Sequence, residues 1–89
     1  MGKGAEKLFQ AMCRTKAGWK ASDFRTLYLG FGFVASEKGR DTQYSHPQYP
    51  DLVAYVSRSS GDLATGYAAT AVKIISKLKA RQGHTDTNS

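Results

Sequence analysis

Phe33-Val34-Ala35-Ser36-Glu37-Lys38-Gly39-Arg40-Asp41-Thr42-Gln43-Tyr44-Ser45-His46-Pro47 is the stretch on which the fold turns. From Phe33 the apolar period is two, with Phe33 and Ala35 set against Val34 and Ser36. Lys38-Gly39 then marks a tight turn, and the chain returns over Asp41 to His46. On that returning strand Thr42, Tyr44 and His46 share one face, and Asp41, Gln43 and Ser45 share the other. Tyr44 is the large semi-apolar member, so its face is expected to meet the rest of the core. Pro47 and Pro50 bracket a loop, since proline cannot donate to a ladder and restricts the residue before it. A third strand is expected over Leu52 to Ser57, with Leu52, Ala54 and Val56 opposite Val53 and Tyr55.

Helical spacing appears on both sides of this sheet. Upstream, Phe24, Leu27, Tyr28 and Phe31 recur at i, i+3, i+4 and i+7. Ser22 is the expected N-cap with Asp23 in the first turn, and Gly30 or Gly32 is the expected stop. A shorter helix precedes it from Ala5 to about Arg14, carrying Leu8, Phe9 and Met12, and Lys16-Ala17-Gly18 ends it. Downstream, Arg58-Ser59-Ser60-Gly61-Asp62 is loop chemistry. Tyr67, Ala71, Ile74, Ile75 and Leu78 then form a stripe that Thr65 or Asp62 would cap. The sum is an α+β fold in the order α-α-β-β-β-α, a three-stranded antiparallel sheet with helices on one face. Residues 1–18 read as an N-terminal helical extension, 19–82 as the domain, and 83–89 as a polar, disordered tail.

Composition narrows the function. The 89 residues suffice for one domain, and no apolar run approaches the ~20 residues that span a bilayer, so no membrane partner is expected. Thirteen Lys plus Arg against seven Asp plus Glu leave a net charge of +6, which suits a polyanion. The single cysteine, Cys13, excludes an intrachain disulfide, and with no signal-peptide pattern at the start a cytoplasmic location is expected. Acidic residues and histidines are scattered without metal-ligand spacing, so no metal or other cofactor is expected. Gly30-Phe31-Gly32 follows a helix and not a strand, the wrong context for a phosphate loop.

Gly39-Arg40-Asp41-Thr42-Gln43-Tyr44-Ser45-His46-Pro47, shortly after Gly32-Phe33, resembles the hairpin of the HicA toxin family, whose pattern there is Gly-Ser-His, two variable positions, an aromatic, one variable position, then His-Pro. Leu52-Val53-Ala54-Tyr55-Val56, a polar loop and a closing helix fall where that family has them, and the resemblance covers about Trp19 to Lys79. It implies a fold like a double-stranded-RNA-binding domain, metal-independent endoribonuclease activity on messenger RNA, and neutralisation by a HicB-type antitoxin. The chain departs from the family at one place that matters: the family's catalytic histidine aligns with Asp41. Metal-free cleavage needs a base for the 2′-OH and an acid for the leaving 5′-oxygen, and an imidazole serves either role at neutral pH where an ordinary carboxyl does not. Three readings stay open: Asp41 is an alternative base, the chain is an inactive divergent member, or it is a variant made non-toxic.

Two readings also attach to His46, a packed histidine where sheet meets loop or a catalyst. If the chain cleaves RNA, Asp41 with His46 is the candidate catalytic pair. Lys38 and Arg40 beside Asp41, with Arg58, are candidate phosphate contacts, and Lys16, Lys20 and Arg25 are candidates to extend the patch. Gln43 and Ser45 line up with Asp41 as candidate partners for a ribose 2′-OH. Trp19, Tyr28, Phe31 and Phe33 are read as core in preference to base-stacking residues. The alternative function is a non-catalytic module that uses the same fold to hold RNA or a protein.

Overall fold

The computed structural model describes residues 3–87. Its elements are α1 (Lys3–Arg14), α2 (Ala21–Gly30), β1 (Val34–Lys38), β2 (Asp41–Ser45), β3 (Val53–Ser57) and α3 (Thr65–Thr87). The strands form one antiparallel sheet in the order β1-β2-β3, so the order and class expected from the sequence are those observed. β1 and β2 are joined by a two-residue loop, Gly39-Arg40, with Lys38 opposite Asp41. Gly39 has φ +62°, and it is the loop's first position that must tolerate a positive φ in the hairpin turn matching strand twist.

All three helices lie on one face of the sheet. Alternation along β2 buries Thr42 and Tyr44, and along β3 it buries Ala54 and Val56. Against these pack Phe24, Leu27 and Tyr28 of α2 and Ala71, Ile75 and Leu78 of α3. Tyr28 stacks on Tyr44 with ring centroids 4.7 Å apart. Its hydroxyl is buried without a hydrogen-bond partner among the described residues, and burial pushes that phenol far above its ordinary pKa. α1 also contributes to this core through Ala5, Phe9 and Met12.

The helix ends differ from the sequence expectation in physically readable ways. α2 is capped at Lys20, not Ser22, because the Asp23 carboxylate reaches back to accept from the Lys20 N–H at 2.9 Å. At its other end Gly32, φ +93°, makes the left-handed turn: the Gly32 N–H donates to Leu29 O and the Phe33 N–H to Tyr28 O. The accompanying apolar contact is Tyr28 against Phe33, 5.2 Å between rings. Asp62 does not cap α3, since it is held by Lys20 at 3.0 Å. The expected tail overlaps α3, which continues through Gly83 to Thr87; an isolated glycine costs a helix only about 1 kcal/mol, and no proline follows to end it. Residues 88 and 89 lie outside the described residues. Arg81 ties α3 to the Pro47–Pro50 loop by two hydrogen bonds to Asp51, at 2.9 and 2.7 Å.

Candidate nucleic-acid interface

Because the helices occupy one side, the other side of the sheet is left uncovered. Cross-strand register orders it into three rows: Val34, Ser45 and Val53; Ser36, Gln43 and Tyr55; Lys38, Asp41 and Ser57. Residues directly opposite in neighbouring strands share a face, so each row is a set of side-chain neighbours. Gln43 and Ser45 therefore do line up with Asp41, as the strand period requires.

The last row is the polar end. The Arg58 N–H donates to Arg40 O at 3.0 Å, which carries the sheet pairing past β3 and sets both residues beside Asp41 and Ser57. The Arg58 guanidinium bridges to Glu37 Oε1 at 2.5 Å and to the Gly39 carbonyl, bracing the hairpin turn from the third strand. Lys38 and Arg40 are exposed and form no ion pair among the described residues. Arg40, Ser57, Arg58 and Ser59 line a cleft of about 380 Å³. Around the same sheet end, on the helix side, Ser22, Arg25, Glu37, Thr42 and Arg58 line a smaller one of about 170 Å³. Arg25 thus lies at the same end of the sheet but on its helix side, not on the uncovered face. Burial raises the Tyr44 phenol there, and the positive charge of nearby Arg25 partly counters it.

The other candidates are placed elsewhere. Lys20 is paired with Asp62, and the Lys16 ammonium donates to Cys13 O at 3.0 Å. His46 is only 5 % exposed. Its Nδ1 accepts from the Gln48 N–H at 3.1 Å, and its ring packs between Phe33 and Tyr49, each 5.1 Å away by centroid. Gly32 is held to a glycine on this side too, since a Cβ there would lie 3.2 Å from His46 Nε2. Asp41 and His46 do not form a pair: they lie on opposite faces of the sheet, five residues and so roughly 16 Å apart along the chain. Tyr28 and Phe33 are buried, and Trp19 and Phe31 pack on the core's margin. Tyr55, which the sequence reading left without a role, is 54 % exposed on the uncovered face. Its alternation with Ala54 and Val56 was the available signal.

Among the described residues no three His, Cys, Asp or Glu side chains are grouped to hold a metal ion, and no helix is long and apolar enough to cross a membrane. No protein-family model matches the chain, nor does any curated protein or solved structure.

Proposed function

We propose that the chain is a HicA-like RNA-binding domain of a type II toxin–antitoxin pair, holding RNA across the uncovered sheet face. The observation that carries this reading is the end of that face, where Lys38 stands opposite Asp41, Arg40 precedes it in the turn, and both cations are exposed and without an ion pair among the described residues beside an open cleft. Cations grouped at one end of a polar sheet face suit a phosphate backbone, and Gln43 and Ser45 in the adjoining rows suit a ribose hydroxyl. The order of elements is also the one that the hairpin's resemblance implies. A HicB-type antitoxin is the protein partner in this reading.

Cleavage is absent or slow in the chain as it stands. With His46 packed on the opposite face, Asp41 is the group left at the position where the resemblance expects an imidazole, and a lone carboxylate supplies a weak base and no acid at neutral pH. The test is induced expression of the chain beside Asp41→His, with transcript cleavage and growth read together, and anisotropy of both proteins with labelled single-stranded RNA. Both forms are expected to bind RNA, and only the histidine form to cut it and arrest growth. If neither binds RNA at low salt, the reading fails; if the unaltered chain cuts as fast as Asp41→His, the account of Asp41 fails while binding stands.

A further inference from the structure

Tyr55 lies in the middle of β3, an outer strand, and it is one of the few large hydrophobic residues that the described surface exposes. A single exposed tyrosine needs no explanation. What surrounds this one does. Along the free side of β3 runs a groove of about 340 Å³, with Tyr55 as one wall and Ala64, Gly66, Tyr67 and Thr70, at the start of α3, as the other. That volume is at the lower end of ligand-sized clefts. The Tyr67 wall is anchored, its ring lying 6.4 Å from that of Phe24 in the core. Gly66 belongs to this wall, and a Cβ built there meets no atom within 4 Å, so a side chain can be added without a clash.

The lining carries two aromatic rings and no formal charge, yet the charged cleft begins two residues further along β3, roughly 7 Å on, at Ser57 and Arg58. A flat-walled uncharged slot beside a cationic one matches the two halves of a nucleotide. An apolar peptide would fit the groove and leave the adjacent Arg40, which has no ion pair among the described residues, without a partner.

We propose that the groove between Tyr55 and Tyr67 seats one unpaired base of an RNA strand whose adjoining phosphate rests against Arg40 and Arg58. This builds on the RNA-binding reading and goes beyond it, because a base inside a duplex is already stacked and cannot enter such a groove. The ligand is then single-stranded where it crosses β3, and Tyr55 is a binding residue.

The test is anisotropy with a labelled adenosine octamer and with a labelled 16-base-pair RNA duplex, for the full chain and for Tyr55→Ala, Tyr55→Phe and Gly66→Leu. Removal of the stacking ring weakens octamer binding by roughly 5- to 150-fold, the range that one stacked base commands. Tyr55→Phe retains the affinity, since the ring and not the hydroxyl does the stacking. Gly66→Leu fills the groove and loses octamer affinity as Tyr55→Ala does, while its melting temperature stays level or rises, leucine being the better helix former. Duplex affinity is unchanged by all three. Octamer binding that neither Tyr55→Ala nor Gly66→Leu weakens overturns the proposal and leaves the RNA reading intact. No salt-sensitive binding of any RNA by the unaltered chain overturns both. Loss of a protein partner in the variants with octamer affinity unchanged gives the groove to that protein and overturns the proposal as well.

Discussion

At Gly30, α2 packs directly against Ala5 of α1. A Cβ at that position would lie 2.3 Å from the Cβ of Ala5, a separation that no real pair adopts and that a methyl group on a packed helix cannot escape by rotation. Helix propensity alone favours Gly30→Ala by about 1 kcal/mol. Overpacking works against it at about 1–3 kcal/mol, because two backbones must move apart. We therefore expect Gly30→Ala to lower the urea midpoint, and Ala5→Gly placed in the same chain to restore part of the loss. A higher midpoint for Gly30→Ala alone would show that the helices separate freely. Sequence pattern offered Gly30 only as one of two stops for α2; Gly32 makes the stop, and the partner that requires Gly30 is 25 residues away, beyond the reach of local spacing.

At the scale of elements, α3 is clasped to α1 by Lys79. Its ammonium sits 5.4 and 5.5 Å from the rings of Phe9 and Phe31 and donates to Glu6 Oε1 at 2.8 Å. That hydrogen bond holds the Glu6 carboxyl below its ordinary value of 4.5, against the opposing effect of burial. A carboxyl whose folded value is depressed adds stability above its unfolded value and loses it as pH falls through the folded one. The pair is about 40 % exposed, so the gain is within about 1 kcal/mol. Thermal melts at about pH 6 and about pH 3 should differ by less in Glu6→Gln than in the unaltered chain. Equal differences would mean that the clasp is apolar and aromatic, not ionic.

The sheet was the legible part, since glycine and proline punctuate it and its two-residue period assigns both faces without tertiary knowledge. That same period separates Asp41 from His46: positions five apart on a strand always face opposite ways. Less legible was whatever depended on a neighbour distant in sequence. Lys20 caps α2 only because Asp23 turns back to it, and Asp62 is lost to α3 because Lys20 holds it. Tyr55 was legible as facing away from Ala54 and Val56, but its groove depends on where α3 begins beside β3.

The whole molecule carries +6, and a diffuse charge of that size attracts any polyanion, so affinity for RNA alone does not locate an interface. The slope of affinity against salt does. Each cation that meets a phosphate of a single strand adds about 0.7 to the slope of log K on log salt concentration, whereas charges held away from the strand are screened beyond about 10 Å at 0.1 M. Lys38 and Arg40 stand at the polar end of the uncovered face, while Lys73 and Lys77 are exposed on α3, an element of the opposite, helical side. The double variants Lys38→Gln with Arg40→Gln, and Lys73→Gln with Lys77→Gln, each remove the same two charges from the total. Titrating the adenosine octamer over a range of salt should show the first double variant weaker for every RNA and its slope reduced by about 1.4, and the second close to the unaltered chain. Equal reductions in both would trace the attraction to net charge spread over the molecule and take the phosphate path away from the sheet end.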